Sequence, residues 1–397
     1  MAHNSTISTR HKTHGMDEKR VEPDWQPLTL AEVHALLSRF YDLGDPVQIL
    51  STSPRPFSAA SVVRTTVGRV FIKRHSRLVR DREGLLEEHR FLKHLRAHGA
   101  HVPHVYGSTT GETVIETAES TYEVHEAPDG VDIYEDALSW TPFRSVAHAN
   151  SAGRALALLH LASRGFDAPR RKPRPLVASF TIFANSDPQR EAARYLEARS
   201  FLTGNAGVGN CTREALRLLT SFHTELVPLL PELSPLWTHN DLHASNLMWS
   251  NDSDEARATA IFDFGLADRT CAVHDIAHAI QRNIVEWLAL GKNRNQPEAV
   301  PIHLDHLHAL LDGYEAVRPL STAEAAALAP MTALCHAEFA LSEADYFLGI
   351  LHSQEKAQSA YYGWLVKHAL WFLGSGGIVL LDAIRQRSQT RQERIVS

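Results

Sequence analysis

The sequence predicts an α+β fold in two lobes: an antiparallel sheet carrying one key helix, then a mostly helical C-terminal lobe. Three observations predict it. Short apolar runs at Val47–Leu50, Ala60–Thr65 and Arg69–Arg74 follow one another across turn-length gaps, as strands of an antiparallel sheet do. The turn residues Ala127-Pro-Asp-Gly130 then break the pattern and mark a hinge. Beyond them, apolar residues recur at helical spacing over long stretches, first across Phe143–Arg164. The expected organisation is a disordered tail (1–24), an N-terminal lobe (25–127), a C-terminal lobe (128–385) and a C-terminal tail (386–397).

The most informative stretch lies between residues 236 and 265. Three apolar runs, Leu236–Trp237, Leu247–Trp249 and Ala260–Phe262, read as buried strands, and the polar segment 250–258 as a hairpin loop. Between the first two runs stands His239-Asn-Asp241-x-x-x-x-Asn246, and after the third stands Asp263-Phe-Gly265. Phosphoryl transfer asks for this spacing: an acid to accept a hydroxyl proton, an Asn five residues on, and a second acid nearby to hold metal. The two motifs in this order resemble the aminoglycoside phosphotransferase and choline kinase superfamily, small-molecule relatives of protein kinases. The resemblance runs from about residue 47 to 370. Asn240 departs from it, since many members carry Gly there, which puts substrate geometry in question more than chemistry. The resemblance implies a protein-kinase-like fold using Mg²⁺ and ATP, with GTP left open, and a small-molecule hydroxyl as acceptor.

Composition sets outer bounds. Apolar residues at 44% and charged residues at 22% are ordinary globular values, and a net charge of −6 argues against nucleic-acid binding. Cys211, Cys271 and Cys335 are odd in number and far apart, so they form neither a disulfide framework nor a metal knuckle. No apolar run reaches membrane-spanning length, and the polar N-terminus lacks a secretory apolar centre. A cytoplasmic protein without membrane partners is expected; oligomeric state is left open.

The remaining elements follow in order. Thr29-Leu-Ala-Glu32 is a capping box opening a helix through Tyr41. Segment 51–58, Ser-Thr-Ser-Pro-Arg-Pro-Phe-Ser, stands where a protein kinase has its glycine-rich loop. It is either a phosphate contact through backbone N–H groups and a hydroxyl such as Ser53, or an ordinary Pro-stiffened turn. Lys73, in Val-Phe-Ile-Lys, occupies the place of the phosphate-pairing lysine; the alternative is a solvated strand-end lysine. In the helix from about Arg82 to His98, Glu88 lies on the apolar face with Leu85 and Leu92. A carboxylate aimed inward needs a cation, and Lys73 is assigned as its partner, against a partly wet boundary position. Further strands are expected near Val105–Ser108, Thr113–Glu116 and Tyr122–Ala127. By resemblance, the backbone of Glu126, Ala127 and Pro128 would hold the adenine.

In the helical lobe, His160 reads as a satisfied core histidine, and Arg170-Arg-Lys-Pro-Arg174 as a solvated basic loop or a phosphate contact. Asp187–Ala198 and Thr212–Leu230 read as helices joined by a flexible glycine cluster, 204–209. The later helices expected are Ile276–Leu290, Leu304–Arg318, Thr322–His352 and Gln358–Gly374.

Asp241 is the expected base, with Asn246 and Asp263 as metal ligands and His239 as a loop-holding residue. His243 either touches nucleotide or substrate, or faces solvent. Asp275 matches a family position that braces the catalytic loop, or is a plain helix N-terminal acid, and with His243 it is counted among the residues expected to border the acceptor pocket. Only nine residues separate Gly265 from Asp275, too few for a peptide-binding activation segment, so the acceptor is a small molecule. Residues 301–351 carry seven acids against the single base Arg318. That imbalance, including Glu338 and Asp345 on one helix face, suggests an acceptor pocket for a cationic or polyhydroxylated molecule, or else a solvated acidic face. An antibiotic or a metabolite such as homoserine, an amino alcohol or a sugar would fit. A non-catalytic nucleotide-binding scaffold would need a broken position, and Lys73, Glu88, Asp241, Asn246 and Asp263 are all present.

Overall fold

Side-chain alternation on one strand sets the N-terminal lobe. In the computed structural model, which describes residues 11–12, 20–21, 24–53, 57–127, 129–137, 140–291 and 300–396, β1 (Pro46–Thr52), β2 (Ala59–Thr65), β3 (Arg69–Ser76), β4 (Ile115–Glu116) and β5 (Ser120–Glu126) form an antiparallel sheet. The strand order is β1-β2-β3-β5-β4. Val70 and Ile72 on β3, with Val63 and Val124 beside them, face α1 (Leu30–Leu37) and bury its Val33, Leu36 and Leu37. Phe71, Lys73 and His75 take the other face, with Glu123 and His125 as their neighbours on β5. Helix α2 (Arg82–Ala97), capped by Asp81, supplies Glu88 and His89 among its buried residues. Thr29 and Glu32 make the expected capping box, but α1 stops at Leu37 rather than Tyr41.

The helical lobe begins with α3 (Val146–Ser163), then α4 (Pro188–Glu197) and α5 (Ala206–Leu226). Antiparallel pairs β6 (Pro235–Thr238) with β9 (Asp268–Cys271), and β7 (Leu247–Trp249) with β8 (Ala258–Ile261), hold the two motif loops between them. Then come α6 (Ala272–Ile284), α7 (Leu304–Glu315), α8 (Thr322–Leu334) and α9 (Ala337–Gly349). Helices α3 and α7 approach so closely that a Cβ on Gly153 would lie 1.9 Å from the Leu310 carbonyl oxygen, and one on Gly313 2.0 Å from that of Asn150. Only glycine fits at these two crossings.

Several expectations need correction. The glycine cluster is no flexible joint: Asn205 caps α5 by accepting from Val208 N, and Gly207 and Gly209 lie in its first turns. The long helix expected over Thr322–His352 is two, α8 and α9, broken at Cys335–His336. A π-helical stretch, Ser359–Lys367, sits inside the last expected helix. Residues 386–396, expected as a tail, continue a helix that starts at Ser375. At the other end, most of 1–24 lies outside the described residues, but His11–Lys12 pairs with Arg20–Val21. Asp24 is anchored by Lys356 at 2.6 Å, and Trp25 Nε1 donates to Tyr346 Oη at 3.1 Å. The four aromatics Trp287, Tyr346, Trp364 and Trp371 are core residues. No single helix among the described residues is long and apolar enough to cross a membrane.

Candidate active site

The loop after β6 is held by helix α6. Asp275, fully buried, accepts from His239 N and Asn240 N, one per carboxylate oxygen, each at 2.8 Å. His160 adds a third contact at 3.0 Å, its other nitrogen meeting Tyr314 Oη at 2.7 Å, so it is indeed satisfied in the core. Burial raises the Asp275 pKa, but the His160 hydrogen bond and charge and the His239 contacts outweigh it, and the carboxyl stays below its usual value. Two turns along α6, Asn283 accepts from Ala244 N at 3.0 Å and donates to Leu242 O at 2.8 Å. Asp275 was grouped with the acceptor pocket; the structure puts it behind the loop, as a brace.

Asn240 sits at φ +62°, a left-handed conformation that Gly or Asn adopts most readily. Its side chain points away from the cleft, accepting from Thr238 Oγ1 at 2.9 Å and meeting His274 Nδ1 at 3.0 Å. The departure at this position therefore bears on the loop's backbone rather than on substrate geometry. His239 Nε2 donates to Phe262 O at 3.0 Å while its Nδ1 accepts from Asp241 N at 3.1 Å, one neutral tautomer serving both bonds. This ties the Asp241 loop to the strand leading into Asp263.

Four predicted residues converge. Lys73 Nζ lies 2.8 Å from Asp263 Oδ1, and Asn246 Nδ2 donates to Asp241 O at 2.9 Å and to Asp241 Oδ2 at 3.2 Å. Lys73 is 7% exposed, which rules out the solvated alternative. Burial pushes its pKa down, but Asp263, Glu123 and Glu88 together hold it above the usual lysine value. Burial likewise pushes Asp263 up, yet Lys73 reverses the shift and leaves it at about 2.

The direct partner of Lys73 is Asp263, however, not Glu88. Arg171 takes Glu88 instead, Nη2 to Oε2 at 3.5 Å. The 170–174 loop is not solvated throughout. Arg171 and Arg174 are buried, Arg174 pairs with Asp81 at 2.6 Å, and Lys172 pairs with Glu83 at 2.9 Å. These contacts clamp α2 against the helical lobe, where a carboxylate on α2 meets the nearest buried cation.

Lys73, Asn246 and Asp263 stand between two compartments. The larger, about 1160 Å³ including its open mouth, runs under the sheet and is lined by Ser53, Ala60, Phe71, Glu126, Ala127 and Met248. Pro128 lies outside the described residues. The smaller, about 730 Å³ counted the same way, holds Asp241, His243, Arg80, Arg282, Leu176 and Phe339. His243 is 7% exposed and turned inward, 3.8 Å from Asp241 Oδ2.

A profile of the phosphotransferase enzyme family matches residues 51–320. The chain belongs to that family. It is 25% identical over 271 residues to a homoserine kinase of Methylobacterium radiotolerans, covering 67% of this chain and 70% of that one. The fold resembles an aminopropanol kinase associated with a microcompartment (TM-score 0.54, 17% identity, 88% of this chain and 99% of that one). It also resembles an amicoumacin kinase solved with AMP-PNP and Ca²⁺ (TM-score 0.54, 14% identity, 85% and 92%). This phosphotransferase is thus a kinase of small molecules acting on a hydroxyl group, and its fold is the two-lobed kinase-like architecture.

The acidic pocket expected for the phosphotransferase between residues 301 and 351 does not form. Glu338 is buried and saturated by Ser179 Oγ, Thr181 Oγ1 and the backbone N–H groups of Thr181 and Ile182. Asp345 faces Arg199 at 3.8 Å, away from the cleft, and burial lifts it to about 6 with Arg199 opposing. Glu324 pairs with Arg318, while Asp312 and Glu315 pair with Arg387. One residue, Arg282, went unnoticed in the sequence, and one of the seven acids of 301–351, Glu343, lies close to it. Arg282 Nε lies 2.8 Å from Asp241 Oδ1, and its guanidinium stacks 4.3 Å from the Trp140 ring centroid. Glu343, buried nearby, is pushed up to about 8 by burial, with Arg282 opposing and Asp241 reinforcing the rise. The α6 spacing, Asp275 to Arg282 to Asn283, puts the three on one helix face and was the readable signal.

Proposed function

We propose that this kinase phosphorylates the hydroxyl of a small acceptor carrying a carboxylate, with ATP as donor and a divalent cation such as Mg²⁺. Asp241 orients the acceptor hydroxyl and takes its proton, and Lys73 pairs the nucleotide phosphates. Asn246 and Asp263 offer the oxygen ligands a hard cation needs, and that cation would neutralise charge on the transferring group. The nucleotide occupies the larger compartment, its base at Glu126 and Ala127 and its phosphates beneath Ser53. As expected outcome, Asp263→Asn weakens nucleotide affinity measured with Mg²⁺ by tenfold or more, while affinity measured in EDTA is not lowered and can rise, because Lys73 loses its competing partner. Equal losses in both titrations would remove Asp263 from the metal.

The acceptor class rests on Arg282. It is 2% exposed, lines the smaller compartment, and its buried Nη2 has no hydrogen-bond partner. A planar guanidinium with an unused donor in a closed pocket suits a carboxylate. The ionised side chains lining that compartment are three cations, Lys73, Arg80 and Arg282, against two carboxylates, Asp241 and Asp263. A polycationic aminoglycoside meets repulsion there, whereas a hydroxy amino acid such as homoserine brings the complementary charge. The test is acceptor-dependent ADP release across hydroxy acids, hydroxy amino acids, their amides, amino alcohols and aminoglycosides. Carboxylate acceptors should exceed their amides by roughly a hundredfold in kcat/KM, about 3 kcal/mol for a buried charge pair. Arg282→Gln should erase that preference. Turnover of aminoglycosides or amino alcohols in preference to the acids would overturn the assignment.

A further inference from the structure

The cleft face of the sheet carries a second polar cluster that phosphoryl transfer does not use. Glu123 on β5 is 1% exposed and surrounded by three histidines from three elements. His89 of α2 brings Nε2 to 2.7 Å from Glu123 Oε2, and His125 of β5 brings Nε2 to 2.9 Å from the same oxygen. His75 of β3 meets the other oxygen, Oε1, at 2.9 Å. The two imidazole rings of His89 and His125 approach edge to face, 5.9 Å between centroids at 79°.

Hydrogen bonding accounts for only part of this cluster. His89 Nδ1 meets Thr113 Oγ1 at 2.8 Å, so both its nitrogens are engaged. His125 Nε2, on a side chain only 8% exposed, has no aligned hydrogen bond despite its proximity to Glu123. A buried polar atom left in that state is destabilising, and native interiors seldom contain one without cause.

We propose that His89, Glu123 and His125 form a zinc site that pins α2 to the sheet beside Lys73. Two imidazoles and one carboxylate are a recognised zinc donor set. The three ligand atoms already lie within 4.8 Å of one another. Tetrahedral bonds of about 2.0–2.1 Å require ligand atoms about 3.3 Å apart, so the present contacts need only open by roughly half an ångström. The surroundings are those of a metal site as well. Thr113 can fix the His89 tautomer by accepting from Nδ1–H, leaving the Nε2 lone pair for the ion, and His75 orients the carboxylate through its second oxygen.

The test uses the full chain stripped with EDTA and titrated with Co²⁺ or Zn²⁺ alone, without nucleotide. One equivalent should bind with a visible Co²⁺ absorption band that Zn²⁺ abolishes. His125→Ala and Glu123→Gln should remove the band, and Thr113→Val should weaken affinity about 10–100-fold. The other trio with metal-ligand spacing among the described residues, His303, Asp305 and His306, is partly exposed and is the control. His303→Ala should leave the band in place. X-ray absorption of zinc-loaded His303→Ala protein should show two imidazoles, and it decides the matter if the buried-site variants do not fold. No stoichiometric binding by the wild type, binding unaffected by His125→Ala in folded protein, or fewer than two imidazoles around zinc would each overturn the site.

Discussion

Asp241→Asn is expected to lower kcat by about 10²–10⁴-fold, the range for a positioned proton acceptor, while nucleotide affinity changes by no more than a few-fold. The geometry sets this split. Asp241 lines the smaller compartment, opposite the cleft that fits a nucleotide, and its backbone carbonyl still receives Asn246 in the variant. The amide preserves side-chain volume but cannot accept the hydroxyl proton, and it leaves Arg282 without its 2.8 Å carboxylate partner. Steady-state kinetics beside direct nucleotide titration separate the two effects. A kcat within tenfold of the wild type would reassign the base.

Asp275→Ala should cost about 3–5 kcal/mol of stability, because it strips a buried carboxylate from three partners at once. His239 N and Asn240 N would be left as buried donors with nothing to bond. Asn is a poor rescue at this position. Each backbone N–H uses a different carboxylate oxygen, so an amide presents its NH₂ to one of them. Thermal melting should fall by on the order of 10 °C for Ala, and by a comparable though smaller amount for Asn. If Asp275→Asn melts like the wild type, the brace is not what fixes the loop. Activity should fall in both variants through misplacement of Asp241, since the loop's backbone is what α6 holds.

The parts of the site that the sequence disclosed are those whose geometry is local. Asp241 and Asn246 lie five residues apart on one loop, and Asp263 follows on the hairpin that the polar 250–258 turn announces. Lys73 was legible through its place on the third strand, which the resemblance marks; strand alternation then sets its face toward the cleft. What stayed hidden depends on distant elements choosing among several cations and acids. Glu88 was rightly read as inward-facing, but Arg171, more than eighty residues away, competes with Lys73 for it. Glu338 and Asp345 share a helix face by spacing, yet that face packs against the 179–182 segment and Arg199 rather than the cleft. The break between α8 and α9 carries no Gly or Pro at Cys335–His336; the one nearby breaker, Pro330, sits within α8 and was passed over in reading a single long helix. Asn205, by contrast, was an available start signal for α5 that the neighbouring glycines masked.

The 2.8 Å contact between Lys73 and Asp263 has a consequence for the order in which ligands can be accommodated. Each side chain currently neutralises the other. A bare triphosphate that recruits the ammonium exposes the aspartate to like charge, and a bare cation that recruits the carboxylate strands the ammonium. Supplying both at once exchanges one balanced pair for two. Donor and cation should therefore strengthen each other's binding by equal factors, a mutual dependence imposed by linkage whichever arrives first.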